Sequence, residues 1–285
     1  MPDRDGIRIL FPAAMTYSSR VTTHAPTRRR RLALAIAGAT AVVLAVALGI
    51  TRPWMPPVGT APIAAAEHGA VSPAPLILPP HPRVLVFGDS WTYGSAATPP
   101  TDGYAYLLAD LIHGTTVVDG VRGSGYQKPG LDGPDYPTRI RALDAGIAPD
   151  LIIIEGSIND RRENAATYPA AVTASWNALT AKFPDVPIVV LGPAPQVLPV
   201  QSGTARIDRD LTRLAAARNW WYISPVQEHW ITPENYRRVI DTGAGRDHPT
   251  NAGHEYLAKR VHEALERFST APVTAADGAH PAPAK

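Results

Sequence analysis

Four short polar segments hold the residue types that acyl transfer requires. Gly88-Asp89-Ser90-Trp91-Thr92-Tyr93-Gly94 places a serine in a turn. Asp119-Gly120-Val121-Arg122-Gly123-Ser124-Gly125-Tyr126 is a glycine-rich turn, and Glu155-Gly156-Ser157-Ile158-Asn159-Asp160 carries an amide. Asp247-His248-Pro249-Thr250-Asn251-Ala252-Gly253-His254 supplies an imidazole. A serine hydroxyl is a poor nucleophile until a neighbouring imidazole takes its proton, so Ser90 and His248 form a candidate pair. The tetrahedral oxyanion needs fixed donors. Gly123 lets a backbone N–H approach closely, Asn159 offers an amide, and Ser90 can add its own N–H.

These segments need a scaffold that brings them to one edge. Apolar runs of strand length stand at Val84–Phe87, Thr116–Val118, Leu151–Ile154, Ile188–Leu191 and Trp221–Ile223. Their continuous apolar character suits a parallel sheet buried on both faces. Helical segments fill the gaps, at Tyr104–Ile112, Pro137–Ala145, Pro169–Lys182, Ala205–Ala217 and Ala252–Phe268. Strict alternation implies an α/β fold, a three-layer α/β/α sandwich with about five parallel strands. Sites in such sheets lie beyond the carboxyl ends of the strands. The first three polar segments each follow a strand, and the fourth precedes the last helix.

At these residues the chain resembles the SGNH (GDSL-type) hydrolase family, over the whole folded region 83–270. Gly88-Asp89-Ser90-Trp91 is similar to the family's first block, with Ser90 in the nucleophile position. Gly123 is similar to its oxyanion glycine. Ser157-Ile158-Asn159-Asp160 resembles the Gly-x-Asn-Asp block, with Asn159 as an oxyanion donor. His248-Pro249, followed by Gly253-His254, resembles the last block, with His248 as base. The resemblance implies a flavodoxin-like sheet and hydrolysis of carboxylic esters without a metal or organic cofactor. Two positions depart from it. Ser157 stands where the family has glycine. Gly245 stands where it has the aspartate, three residues before the histidine. Asp247 is the nearest carboxylate in sequence and the candidate third catalytic residue. Neighbours on an extended chain point to opposite sides, so Asp241, a backbone carbonyl or a bare Ser–His dyad remain open.

Outside the folded region the chain changes character. Residues 32–50, LALAIAGATAVVLAVALGI, carry no charge across 19 positions. At 1.5 Å per residue such a helix spans about 28 Å, close to the hydrocarbon thickness of a bilayer. Arg28, Arg29, Arg30 and Arg31 stand directly before it. This asymmetry places residues 1–31 in the cytoplasm and the remainder outside. The expectation is a single-pass N-terminal transmembrane anchor; a long signal peptide cut after Ala66 is the alternative. Residues 51–82 are Pro-rich and read as a spacer, and 271–285 as a disordered Ala/Pro tail. The absence of cysteine excludes thiol nucleophiles, thiolate zinc and disulfides. His248, His254 and Asp247 lack the spacing of the usual zinc helices. A formal net charge of +2 gives no general polyanion signature and no nucleic-acid partner.

The expectation is therefore a monomeric serine esterase outside the cytoplasmic membrane, acting on O-acyl or O-acetyl esters of small molecules, lipids or glycans. The departures at Gly245 and Ser157 motivate an alternative, an inactive module that binds envelope glycan. Acyl transfer to a sugar would use the same residues. Tyr93 and Tyr126 flank two blocks as possible substrate contacts. His254 reads as a helix residue near the site, and His229 as an ordinary half-buried histidine.

Overall fold

The computed structural model describes residues 73–270. The basic segment 1–31, the apolar run 32–50, the spacer up to residue 72 and the tail 271–285 lie outside the described residues. Among the described residues no helix is long and apolar enough to cross a membrane.

Five parallel strands form one sheet: β1 (Arg83–Gly88), β2 (Thr115–Gly120), β3 (Leu151–Glu155), β4 (Ile188–Leu191) and β5 (Trp221–Ile223), in the order β2-β1-β3-β4-β5. That is the doubly wound order whose direction reverses at β1 and β3, and the crevice opens at this switch point. Side chains alternate across the strands. Val84, Val86, Ile153, Val189 and Ile223 pack under α2 (Tyr104–Leu111) and α7 (Asn251–Ser269). Leu85, Phe87, Ile152, Ile154 and Val190 pack on the other face, under α3 (Tyr136–Ala142), α4 (Tyr168–Lys182) and α5 (Ser202–Ala216). Both faces of the sheet are thus covered, which is why the strands read as unbroken apolar runs.

The ends of these elements follow the sequence closely. Asp135 caps α3 by accepting from Thr138 N–H at 3.0 Å, and Thr250 caps α7 from Gly253 N–H at 2.9 Å. The Pro-rich stretch before β1 is tied to the domain at Leu76. Its side chain is buried, and its N–H donates to Phe268 O at 2.8 Å. Three small elements have no strong periodic signal: α1 (Ser90–Tyr93), α6 (Tyr236–Val239) and the antiparallel pair β6 (Ile240–Asp241) and β7 (His248–Pro249). Two of these position the site.

Candidate active site

β1 ends at Gly88, and the chain turns at once into α1, whose first residue is Ser90. The turn is forced by close packing. A Cβ on Gly88 would lie 2.4 Å from a Glu155 carboxylate oxygen and 2.8 Å from its Cβ. Asp89 is the N-cap, accepting from Trp91 N–H at 3.0 Å. Gly94 closes the helix at φ +87°, a conformation that suits glycine. Ser90 therefore sits at the carboxyl edge of the sheet, with its own N–H left over at the start of a helical turn.

His248 arrives from the opposite end of the chain. β6 and β7 pair Asp241 with His248 and Ile240 with Pro249. Between them Arg246 and Asp247 both take the left-handed conformation, at φ +51° and +61°. This tight turn brings His248 Nε2 to 2.8 Å from Ser90 Oγ. On its other side, Nδ1 lies 2.7 Å from Gly245 O. A carbonyl only accepts, so Nδ1 must carry the hydrogen, which leaves the Nε2 lone pair facing the serine hydroxyl. The backbone thus selects the tautomer that can take a proton from Ser90.

Among the described residues no carboxylate performs that task. Asp241 turns its carboxylate to Gly243 N–H at 2.8 Å, closing its own turn. Asp247 lines the cavity, and its backbone N–H donates to Asp241 O at 2.8 Å; its carboxylate makes no hydrogen bond to the imidazole. The reason is the left-handed turn, which orients the histidine through the chain three residues before it. Gly245 supplies its carbonyl from the position where a side-chain carboxylate was expected.

The oxyanion candidates converge on the same place. Ser90, Gly123, Asn159 and His248 line one cavity of about 680 Å³. Gly123 has φ +76°, and its N–H has no acceptor among the described residues. Asn159 Nδ2 currently donates to Asp89 Oδ2 at 2.9 Å and to Ser124 O at 3.0 Å. Ser157 fills the glycine position without strain, at φ −56°. Its Oγ accepts from Asn159 N–H at 3.1 Å and lies 2.6 Å from Ser124 O. It thereby ties the third polar segment to the second.

The supporting layer is buried and charged. Arg139 is 6 % exposed. Nη1 donates to Gly88 O and Ser124 Oγ, each at 2.9 Å, and Nη2 to Asp119 Oδ1 at 2.7 Å. Its guanidinium lies 4.2 Å above the Phe87 ring. One side chain thus fixes the ends of β1 and β2 and the Gly123 loop. Asp160 accepts from Tyr126 N–H at 2.7 Å and Gln127 N–H at 3.0 Å, and its burial pushes its pKa up to about 6. Asp89 and Glu155 are neighbouring buried carboxyls, and burial raises both, Glu155 most. Glu155 accepts from the Thr92 hydroxyl, and burial together with the Asp89 charge favours its neutral form. His254 is fully buried; its Nδ1 accepts from Tyr104 N–H at 3.2 Å, and its Nε2 donates to Ser95 O at 3.1 Å. Burial lowers its pKa to about 4, so it serves as a neutral strut.

The family model for GDSL-like lipases and acylhydrolases matches residues 86–256, from β1 into α7. The chain belongs to the GDSL-like lipase/acylhydrolase family. It is a serine carboxylic ester hydrolase of that family. A GDSL lipase of Mycobacterium tuberculosis is 27% identical over 190 residues, covering 62% of this chain and 79% of the relative. The fold is shared with a G-D-S-L family protein from Desulfitobacterium hafniense, at TM-score 0.53 and 16% identity, over 65% of this chain and 99% of that one. It is shared also with a two-domain esterase active on acetylated mannans, at TM-score 0.52 and 20% identity, over 72% of this chain and 54% of that one.

Sequence reasoning gave Arg139 no place at the site, and gave Glu155 and His254 a place beside it without a role. One signal was present. Tyr136, Arg139, Ile140 and Leu143 share a helical face, so a charged residue stood on an apolar stripe.

Proposed function

We propose that this GDSL-like hydrolase cleaves O-acyl esters outside the cytoplasmic membrane, through an acyl-serine intermediate on Ser90. The observation that carries the mechanism is the 2.8 Å contact between Ser90 Oγ and His248 Nε2, with Nδ1 held by Gly245 O. Ser90 Oγ attacks the ester carbonyl carbon while its proton passes to His248 Nε2. The oxyanion is met by the N–H groups of Ser90 and Gly123. Asn159 becomes the third donor by releasing one of its two present acceptors. When the tetrahedral adduct collapses, His248 returns the proton to the leaving alcohol oxygen. Water then attacks the acyl-serine through the same base, and the acid and free Ser90 are released. The aligned Ser–His pair argues against a module that only binds glycan, which has no use for a poised base.

The location rests on the uncharged run 32–50 behind four arginines. Asp247 is left without a role in orienting His248, and the pair works as a carbonyl-held dyad.

The test is hydrolysis of an acyl ester series by the full-length chain and by Ser90→Ala. The expected result is acyl-enzyme on Ser90 by mass spectrometry and loss of turnover in the variant, with an unchanged circular dichroism spectrum. Near wild-type kcat in Ser90→Ala would remove the nucleophile assignment. N-terminal sequencing of the membrane fraction tests the anchor; a mature chain beginning near Glu67 would mean a secreted enzyme.

A further inference from the structure

Arg161 is a cation at the catalytic cavity that the mechanism does not use. It follows Asn159 by two residues and lines the cavity with Ser90 and His248. Its Nη1 donates to Ile158 O at 3.1 Å, and its Nε is buried without any hydrogen-bond partner. Among the described residues no carboxylate forms an ion pair with it; Asp89 and Asp247 act on it only through space. The other cations at the cavity differ. Arg122 is clamped by Asp132, with Nη2 at 2.9 Å from Oδ1, and Arg246 is exposed at the rim. Partial burial already disfavours the charged form of Arg161. A half-buried guanidinium with an unmet donor and no carboxylate in direct contact is costly unless something else completes it. Its Nη2 makes no hydrogen bond among the described residues and is not closed off from solvent, so this end of the guanidinium is open to a ligand.

We propose that Arg161 is a specificity-determining residue that binds an anionic group, a carboxylate or phosphate, carried by the ester close to the scissile bond. The inference rests on the esterase reading and refines its substrate class. A planar guanidinium suits such a group because it presents several N–H donors to two oxygens at once. Arg246 lines the same cavity, next in sequence to Asp247. Long neutral acyl chains would meet few apolar walls here. Leu131 is the large apolar side chain at the cavity, and it is 81% exposed.

Two matched pairs of esters test this on the full-length chain. Acetoxybenzoate and its methyl ester differ in charge on the alcohol side. Mono-4-nitrophenyl glutarate and its methyl ester differ in charge on the acyl side. The expected result is that one charged ester exceeds its neutral partner in kcat/KM by about tenfold or more, chiefly through KM. Arg161→Gln should bring that ratio close to one. Arg161→Lys, which keeps the charge and loses the fork, should restore part of it. Arg162→Gln, an exposed neighbour outside the cavity, should leave the ratio unchanged. The inference is overturned if wild type prefers the neutral ester in both pairs, or if Arg161→Gln keeps the wild-type ratio. Should Arg161→Gln not fold, a wild-type preference for the charged ester together with a lowered ratio in Arg161→Lys supports the proposal, and equal ratios overturn it. Failure of wild type to hydrolyse any of the four esters would instead count against the esterase reading itself.

Discussion

The imidazole of His248 rests on the carbonyl of Gly245, Nδ1 to O 2.7 Å, on the side facing away from Ser90. The same carbonyl accepts the His248 backbone N–H at 3.2 Å, so ring and chain are fixed by one group. A carbonyl sets the tautomer as a carboxylate would. It gives the imidazolium a dipole in place of a full negative charge, and the cost of forming that cation is correspondingly less well compensated.

Asp247→Asn is therefore expected to lower kcat/KM by less than about tenfold, the scale of ~1.4 kcal/mol. Asp241→Asn, whose amide oxygen can still accept from Gly243 N–H, and the double variant should behave alike. In a carboxylate-coupled triad the same change costs about 10⁴ in kcat. Steady-state kinetics on one activated ester separate the cases. A fall of a thousandfold from either single variant would show that a carboxylate moves onto Nδ1 during turnover.

Arg139→Met tests the buried layer. Methionine fills much of the volume but strands Asp119 and leaves Gly88 O and Ser124 Oγ without their donor. Breaking a fully buried ion pair costs about 3–5 kcal/mol, and the Asp119 side chain keeps 30% exposure, so about 2–3 kcal/mol is expected. Urea denaturation should show a loss of that order, with unchanged m-value. A loss below about 1 kcal/mol would mean that water replaces the guanidinium easily.

All five sheet strands and all five long helices were legible in the sequence, because a parallel sheet covered on both faces writes itself as apolar runs separated by amphipathic segments. That Ser90, Gly123, Asn159 and His248 meet at one cavity was legible too, because each sits in a polar segment at an element end. The holder of His248 was not. It depends on left-handed backbone at Arg246 and Asp247, two residue types that give little hint of that conformation. Arg139 and His254 act through side chains that reach from helices back to the site, over 51 and 159 positions to Gly88 and Ser95. Local pattern carries no record of such distances.

His254 gives a pH dependence that belongs to the fold. Burial holds its pKa at about 4, against 6.5 for an exposed imidazole. Between these values the unfolded chain binds the proton and the folded chain does not. The stability associated with neutral His254 is complete above about pH 6.5 and is lost progressively toward pH 4. The full window is on the order of 3 kcal/mol. In His254→Gln an amide can still face Tyr104 N–H and Ser95 O, without titrating. The unfolding free energy of wild type minus that of the variant should then shrink by about 2–3 kcal/mol between pH 7 and pH 4.5. Carboxyls shared by both proteins cancel in this difference. A difference independent of pH would place the acid-sensitive group elsewhere.

Gly245→Asp would put back the aspartate that the resemblance led one to expect, and a gain in activity is the intuitive outcome. The geometry gives the opposite. A Cβ at position 245 would lie 2.6 Å from Asp241 Cβ and 2.8 Å from Ala96 Cβ, neither of which is the free end of a flexible side chain. The 241–248 turn must shift to admit it, and the carbonyl that holds Nδ1 shifts with it. A new carboxylate would also enter beside Asp241 and Asp247, adding like charge to a short turn. The expected result is a fall in kcat/KM of about tenfold or more, since displacement of the base by 1 Å can cost about 10². The melting temperature should fall in parallel, by the few degrees that ~1–3 kcal/mol of overpacking produces. The decisive measurement is kcat/KM on a small neutral ester with the melting curve of the same sample. Activity equal to or above wild type in a stably folded Gly245→Asp chain would mean that the turn accepts a carboxylate orienter, and that the Gly245 carbonyl is a substitute the enzyme can do without.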